Sequence, residues 1–117
     1  MGYSIHIVRQ TADGSEVPIT LDEWKAYVAS DPDLVYPEPG HPNYSGETLA
    51  LLPSESAPPE DWQWLSWGSG SISSDYPQLP MLKKMAQAVR HFGAVVVSDD
   101  GDVWTIDDNG RVRVEPV

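Results

Sequence analysis

Hydrophobic and polar positions alternate at both ends of the chain. Residues 3–9 (YSIHIVR) are rich in β-branched side chains, and this pattern predicts a first strand. At the other end, short apolar runs at residues 94–98, 103–107 and 111–114 are separated by DDGD and DDNG. The Asp-Gly and Asn-Gly pairs in these separators are hairpin-turn signals. The chain is therefore predicted to begin with a strand and to end with a β-meander.

Two segments between these ends have helical spacing. Thr20 and Glu23 fit a capping box, so a first helix is predicted to begin directly after Thr20. It ends before Pro32, because the residue that precedes a proline is disfavoured in the helical region. A second helix is predicted with Pro80 at its first position and Gly93 as its stop signal. Its predicted apolar face consists of Leu82, Met85, Ala86 and Val89.

The middle of the chain is rich in proline. Nine of the eleven prolines and eight acidic residues lie in residues 31–80. Strands bounded by Pro or Gly are predicted there at residues 47–52, at residues 62–67 and, more briefly, at residues 71–74. Residues 31–61 or thereabouts form a Pro-rich acidic loop region around the first of these strands.

Strands at both ends, with two helices between them and no regular strand–helix alternation, predict an α+β fold. The expected architecture is a mainly antiparallel β-sheet with two helices packed on one face. Residues 1–117 are predicted to form a single domain, since no composition break separates two cores. A domain of this length buries roughly two-thirds of the surface of its unfolded chain, so it needs no metal or disulfide to fold.

The chain has no cysteine, which is usual in a reducing compartment. Its first residues, MGYSIHIVRQ, lack the basic and apolar regions of a signal peptide, and no run of 18 apolar residues occurs. We therefore expect a cytoplasmic protein without a membrane span.

The formal net charge of −11 comes from 18 acidic residues against 7 Lys and Arg, and no Lys or Arg occurs from Ala26 through Leu82. Direct binding to nucleic acid or to an anionic membrane is not expected, because phosphate contacts need basic side chains. The charge favours solubility and a basic partner.

Five carboxylates lie in the two predicted hairpin turns: Asp99, Asp100, Asp102, Asp107 and Asp108. Asp and Gly are good turn formers, so the residues have a structural interpretation. They can also form part of a docking patch for cationic side chains. Their spacing misses the EF-hand loop, so no metal is predicted.

Three tryptophans fall within one predicted strand. Period two places Trp62 and Trp64 on one face and Trp67 on the other. Either both faces are covered by other parts of the chain, or a tryptophan anchors an interface, where Trp is enriched. Glu60 and Asp61 precede this strand and add charge next to it.

Catalytic motifs are not found. His6 lies in a predicted strand, His41 in a loop, and His91 at a helix C-terminus where a cation is favoured. The GSGS sequence at residues 68–71 has the wrong spacing for a nucleophile elbow, and no phosphate-binding, dinucleotide-binding or HExxH motif occurs. Neither a catalytic residue nor a cofactor is predicted, and the protein is not expected to be an enzyme.

The first strand YSIHIVR, the capped helix ITLDEWKAYVASDPDL, the Trp-rich strand and the final MLKKMAQAVRHFGAVVVSDDGDVW together resemble small acidic immunity proteins. These are the partners of bacterial polymorphic or contact-delivered toxins. The resemblance implies a cytoplasmic antitoxin that binds its cognate toxin, expected to be a basic nuclease-like domain, and blocks the active site or the substrate path. The partner-binding residues expected from it are Glu60, Asp61, Trp62, Trp64, Trp67, Asp99, Asp100, Asp102, Asp107 and Asp108.

Two alternatives stay open. One is a structural or regulatory adaptor whose charge keeps it soluble. The other is a small hydrolase, which a histidine–acid pair in a deep pocket would indicate.

Overall fold

Two helices and an antiparallel sheet make up the structure, a computed structural model that describes residues 4–115. The strands are β1 (Ser4–Arg9), β2 (Leu49–Leu52), β3 (Gln63–Gly68), β4 (Ser71–Asp75), β5 (Ala94–Ser98), β6 (Val103–Ile106) and β7 (Val112–Glu115). The helices are α1 (Leu21–Ser30) and α2 (Leu79–Phe92), and a 3-10 turn at Pro59–Asp61 precedes β3. The predicted α+β class is confirmed. Tyr3, which was included in the predicted first strand, lies outside the described residues.

The sheet has the order β2-β3-β4-β1-β5-β6-β7, and each pair of neighbours is antiparallel. The first strand of the chain is therefore the central one. It pairs with β4 on one side and β5 on the other, both of which come much later in the sequence. Because these pairings are far apart in sequence, the local pattern predicted the strands but not their order.

One face of the sheet forms the core with the helices. Ile5 and Ile7 of β1 are fully buried, and their cross-strand neighbours from β4 and β5 point to the same side. Trp24 of α1 is also fully buried and donates its indole N–H to the Glu47 carbonyl at 2.9 Å. This apolar cluster joins both helices to the sheet. In the described residues, neither helix is long and apolar enough to cross a membrane.

The helix ends largely follow their predicted signals. The Thr20 hydroxyl accepts from the Glu23 amide and the Glu23 carboxylate accepts from the Thr20 amide, both at 3.1 Å, which confirms the capping box. Gly93 ends α2 in the left-handed conformation, with φ of 61°. Pro80 was predicted at the first helical position, but it occupies the second, since Gln78 is the N-cap. Proline is tolerated at both positions because neither amide has an intrahelical partner.

The buried face of α2 is displaced from the predicted one. Leu82 and Val89 are only partly buried, at the margin of the core. Met85 and Ala86 are buried as predicted, whereas Met81 and Ala88, which lie outside the predicted face, are fully buried as well. Hydrophobic spacing alone did not show this, because the buried side also contains a charged residue. That residue, Lys84, is 4% exposed.

Lys84 is buried because it pairs with the end of α1. Its ammonium donates to Asp31 at 2.7 Å, to Asp33 at 3.0 Å and to Gln87 at 2.9 Å. Burial by itself would raise the pKa of Asp31, but hydrogen bonds from Lys84 and the Asp33 amide, with the charge of Lys84, lower it below the usual value. Burial raises the pKa of the neighbouring Tyr27 hydroxyl, as does the charge of Asp31. This cluster ties the two helices together.

A candidate binding cleft and the acidic ends of the sheet

A cleft of about 590 Å³ lies on the sheet face opposite the helices. Leu51 of β2 and Trp62, just before β3, form part of it. Leu51 is opposite Trp64 in the β2–β3 register, whereas Ala50 and Leu65 point into the core. We call it the outer cleft. Its other apolar lining residues are Val35, Pro37, Pro42 and Pro59.

Hydrogen bonds fix the positions of the segments that form the outer cleft. Val35 and Leu51 exchange two backbone hydrogen bonds of 3.0 and 2.7 Å, so the loop region adds one rung beside β2. Trp62 donates its indole N–H to the carbonyls of Ser54 and Ala57, each at 3.0 Å. A cleft built in this way is preformed, which lowers the ordering cost of binding.

His41 joins the two loops that form the wall of the outer cleft. Its Nδ1 lies 3.0 Å from the Asn43 amide and its Nε2 lies 2.9 Å from the Pro59 carbonyl. An amide can only donate and a carbonyl can only accept, so Nδ1 accepts from Asn43 and Nε2 donates to Pro59 in this arrangement. Both ring nitrogens are therefore used inside the fold. His41 therefore positions the two loops of the wall relative to each other, a role that the sequence did not show.

The rim of the outer cleft is acidic. Glu38 and Glu60 line it and are exposed, and Asp61 is exposed next to Glu60. Within residues 4–115, none of these three carboxylates takes part in an ion pair or a side-chain hydrogen bond. The lining residues include no Lys or Arg. The site thus combines apolar walls with unpaired negative charge.

The three tryptophans of the predicted strand do not form one surface. Trp62 lines the outer cleft, and Trp64 lies half-buried on the same sheet face. Trp67 points to the helix side, packs against the core and donates its indole N–H to the Ile19 carbonyl at 2.7 Å. The alternation predicted from period two is therefore observed, and it assigns Trp67 to the core.

The two acidic turns lie at opposite ends of the sheet. β5 ends and β6 begins at the end of the sheet where β1 starts. Residues 99–102 therefore lie at the same end as Glu60 and Asp61. The turn at residues 107–110 joins β6 to β7 at the other end. The fold therefore separates residues 107–110 from the remaining acidic candidates.

Several of the turn carboxylates are used within the fold. Asp99 accepts from His6 Nε2 and from the Ser4 amide, each at 2.8 Å, and these two hydrogen bonds lower the pKa of Asp99. Asp107 accepts from two amides of its own turn, and Asp108 pairs with Arg90. The side chains of Asp100 and Asp102 make no such contact in the described part of the chain.

A serine–histidine–aspartate row crosses the central strands on the outer face. Ser73 Oγ lies 2.7 Å from His6 Nδ1, and His6 Nε2 lies 2.8 Å from Asp99. In a neutral imidazole Asp99 receives the Nε2 hydrogen and Ser73 donates to Nδ1. The His6 and Asp99 side chains are 32% and 42% exposed, so the pair lies at the surface and not in a deep pocket. The contacts link β4, β1 and the end of β5.

Within residues 4–115, no three His, Asp or Glu side chains are grouped so that they could hold a metal ion. No protein-family model, curated protein or solved structure matches the chain.

Proposed function

We propose that this protein is a cytoplasmic immunity protein that binds and neutralises a cognate bacterial toxin with a basic, nuclease-like effector domain. The observation that carries the proposal is the outer cleft, an apolar cavity of about 590 Å³ with the unpaired carboxylates of Glu38 and Glu60 at its rim. It lies in the stretch from Ala26 through Leu82, which contains no Lys or Arg. A basic protein surface complements the charge of such a site, and apolar parts of the partner's side chains complement its walls.

Charge supports the proposal in a second way. The net charge of −11 attracts a basic partner over a distance and raises the association rate. A nuclease domain is basic because it must hold nucleic acid, so an acidic inhibitor can cover the same surface. Glu60 and Asp61 lie at the same end of the sheet as Asp100 and Asp102, with β4 and β1 between β3 and β5, so the negative charge is spread along this end.

The experiment is co-expression with the product of the adjacent upstream gene, followed by co-purification at low and at moderately high salt. We expect a complex that loosens as salt rises, since screening weakens exposed charge pairs. The same cells should survive production of the partner only when this protein is present. A partner that is captured without being toxic contradicts the immunity proposal.

A non-catalytic structural or regulatory adaptor is the second candidate. It is favoured by Asp99, Asp107 and Asp108, whose carboxylates are all engaged within the fold. If these acids serve only the fold, the charge mainly maintains solubility. Absence of any complex with the neighbouring product would support this candidate.

A further inference from the structure

We propose that the outer cleft binds an arginine side chain, presented by an extended segment of the protein partner. This inference rests on the proposed function, because it names the part of the partner that the immunity protein would hold. The steps that lead to it are the chemistry of the walls, the charge of the rim and the volume of the cleft.

The walls favour a ligand with an apolar stem. Val35, Pro42 and Pro59 provide exposed aliphatic surface, and Trp62 adds an aromatic ring. Arginine buries its methylene stem against such surface while its head stays polar. Its flat guanidinium also stacks on an aromatic ring, and tryptophan is the most favourable ring for this contact.

The negative charge of the rim favours a ligand whose polar end is cationic. Glu38 and Glu60 come from the two walls, they are exposed, and neither is paired in the described residues. A guanidinium can give each carboxylate two parallel hydrogen bonds, which an ammonium cannot do. Arginine is therefore preferred over lysine, and an anionic ligand is repelled.

The cavity is too large for one side chain to be its whole occupant. A volume of about 590 Å³ is in the range of sites that enclose a drug-sized ligand. The neighbours of the arginine must then be accommodated as well. Tyr36 and Trp62 line the site, and aromatic-lined grooves take extended, proline-containing segments. We therefore expect a short extended stretch of the partner with an arginine at its centre.

The test uses the blocked peptides Ac-Pro-Arg-Pro-NH₂, Ac-Pro-Lys-Pro-NH₂ and Ac-Pro-Glu-Pro-NH₂ as probes. Each is titrated into the ¹⁵N-labelled full chain, and the indole signal of Trp62 is followed by NMR together with the backbone amides of Glu38, Gly40, His41 and Asn43. We expect the arginine peptide to shift these signals and to bind at least about 3-fold more tightly than the lysine peptide, a small difference typical of exposed charge contacts. The glutamate peptide should leave the signals unchanged.

The variant is Glu38→Gln combined with Glu60→Gln, and Glu115→Gln is its matched control. Glu115 is an exposed glutamate at the end of β7, on the opposite edge of the sheet. Two exposed charge contacts correspond to a loss of about 2- to 30-fold in affinity for the arginine peptide. The control should bind as the unchanged chain does.

Equal shifts with the arginine and lysine peptides, or shifts at residues 99–102 instead of the outer cleft, would overturn the inference. The same variants in the co-purification experiment separate the two proposals. A neutralising complex that is insensitive to the double substitution contradicts the arginine site and leaves the immunity function standing. Selective peptide binding without any toxin partner contradicts the immunity function and leaves the arginine site standing.

Discussion

Replacement of Lys84 by methionine should destabilise the protein by leaving a carboxylate buried without its cation. The Lys84 and Asp31 side chains are 5% and 8% exposed, so their pairing takes place away from water. Removing one partner of a buried pair costs about 3–5 kcal/mol. We expect a loss of about 3 kcal/mol in the free energy of unfolding, at the lower end of this range, because Asp31 keeps its hydrogen bond from the Asp33 amide at 2.9 Å. Asp33 itself is 64% exposed and adds little.

The loss should depend on pH in a defined direction. In the natural chain, the pKa of Asp31 is lowered, so its stabilising contribution is present above its unfolded pKa of about 3.9 and is lost as pH falls through the folded value. In Lys84→Met, burial without the cation raises the pKa of Asp31 instead. The variant therefore regains stability relative to the natural chain as pH falls from neutral towards about 4.

Urea unfolding followed by tryptophan fluorescence, at pH 7 and at acid pH, measures both effects. The double variant Lys84→Met with Asp31→Asn is the matched control, since it removes the cation and the anion together. It should recover most of the loss, because an apolar replacement of a whole buried pair is often nearly neutral. A loss below about 1 kcal/mol at pH 7, the level of an exposed pair, would refute the reasoning, as would a loss that does not change with pH.

Three further predictions concern the fold. Gly70→Ala should lower the free energy of unfolding, measured by thermal denaturation, by about 1–3 kcal/mol and by more than Gly14→Ala does. Both glycines have φ of 88°, but only at Gly70 would the new Cβ meet Pro18, at 2.8 Å, so equal losses would contradict the role of this contact. Glu23→Gln should lower the melting temperature at neutral pH and have little effect near pH 2. The pKa of Glu23 is lowered to about 2, so its contribution to stability disappears as pH falls through that value, and a change in melting temperature that does not depend on pH would contradict this role. Trp67→Phe should lower the free energy of unfolding in urea by about 1–3 kcal/mol, because the Ile19 carbonyl loses its hydrogen-bond donor. It should leave partner capture unchanged, since Trp67 faces the core, and weakened capture by a stable variant would place Trp67 in the interface.

Elements whose signals lie within a few residues were predictable. The capping box of Thr20 and Glu23, the stop at Gly93 and the two Asp-rich turns depend on local backbone geometry and hydrogen bonds, and the structure has each of them. The alternation of Trp64 and Trp67 across the sheet was likewise set by the period of a strand. These features do not require knowledge of the remaining chain.

The candidate site was predictable only in its charge. The absence of Lys and Arg from Ala26 through Leu82 is a property of the sequence, and by itself it indicates a basic partner. The outer cleft was not predicted, because it forms where Val35 pairs with Leu51 and where His41 joins the Pro59 carbonyl. Such contacts connect segments that are separated by many residues.

The sequence alone determined the α+β class, the helix ends and the acidic character, since these follow from local propensity, hydrophobic period and composition. Only the tertiary structure decided that the first strand is central, that the two acidic turns lie at opposite ends of the sheet and that Lys84 is buried against Asp31. The physical reason is the same for all three. Strand order and the pairing of buried charges depend on packing between distant parts of the chain, and no local pattern specifies which partners meet.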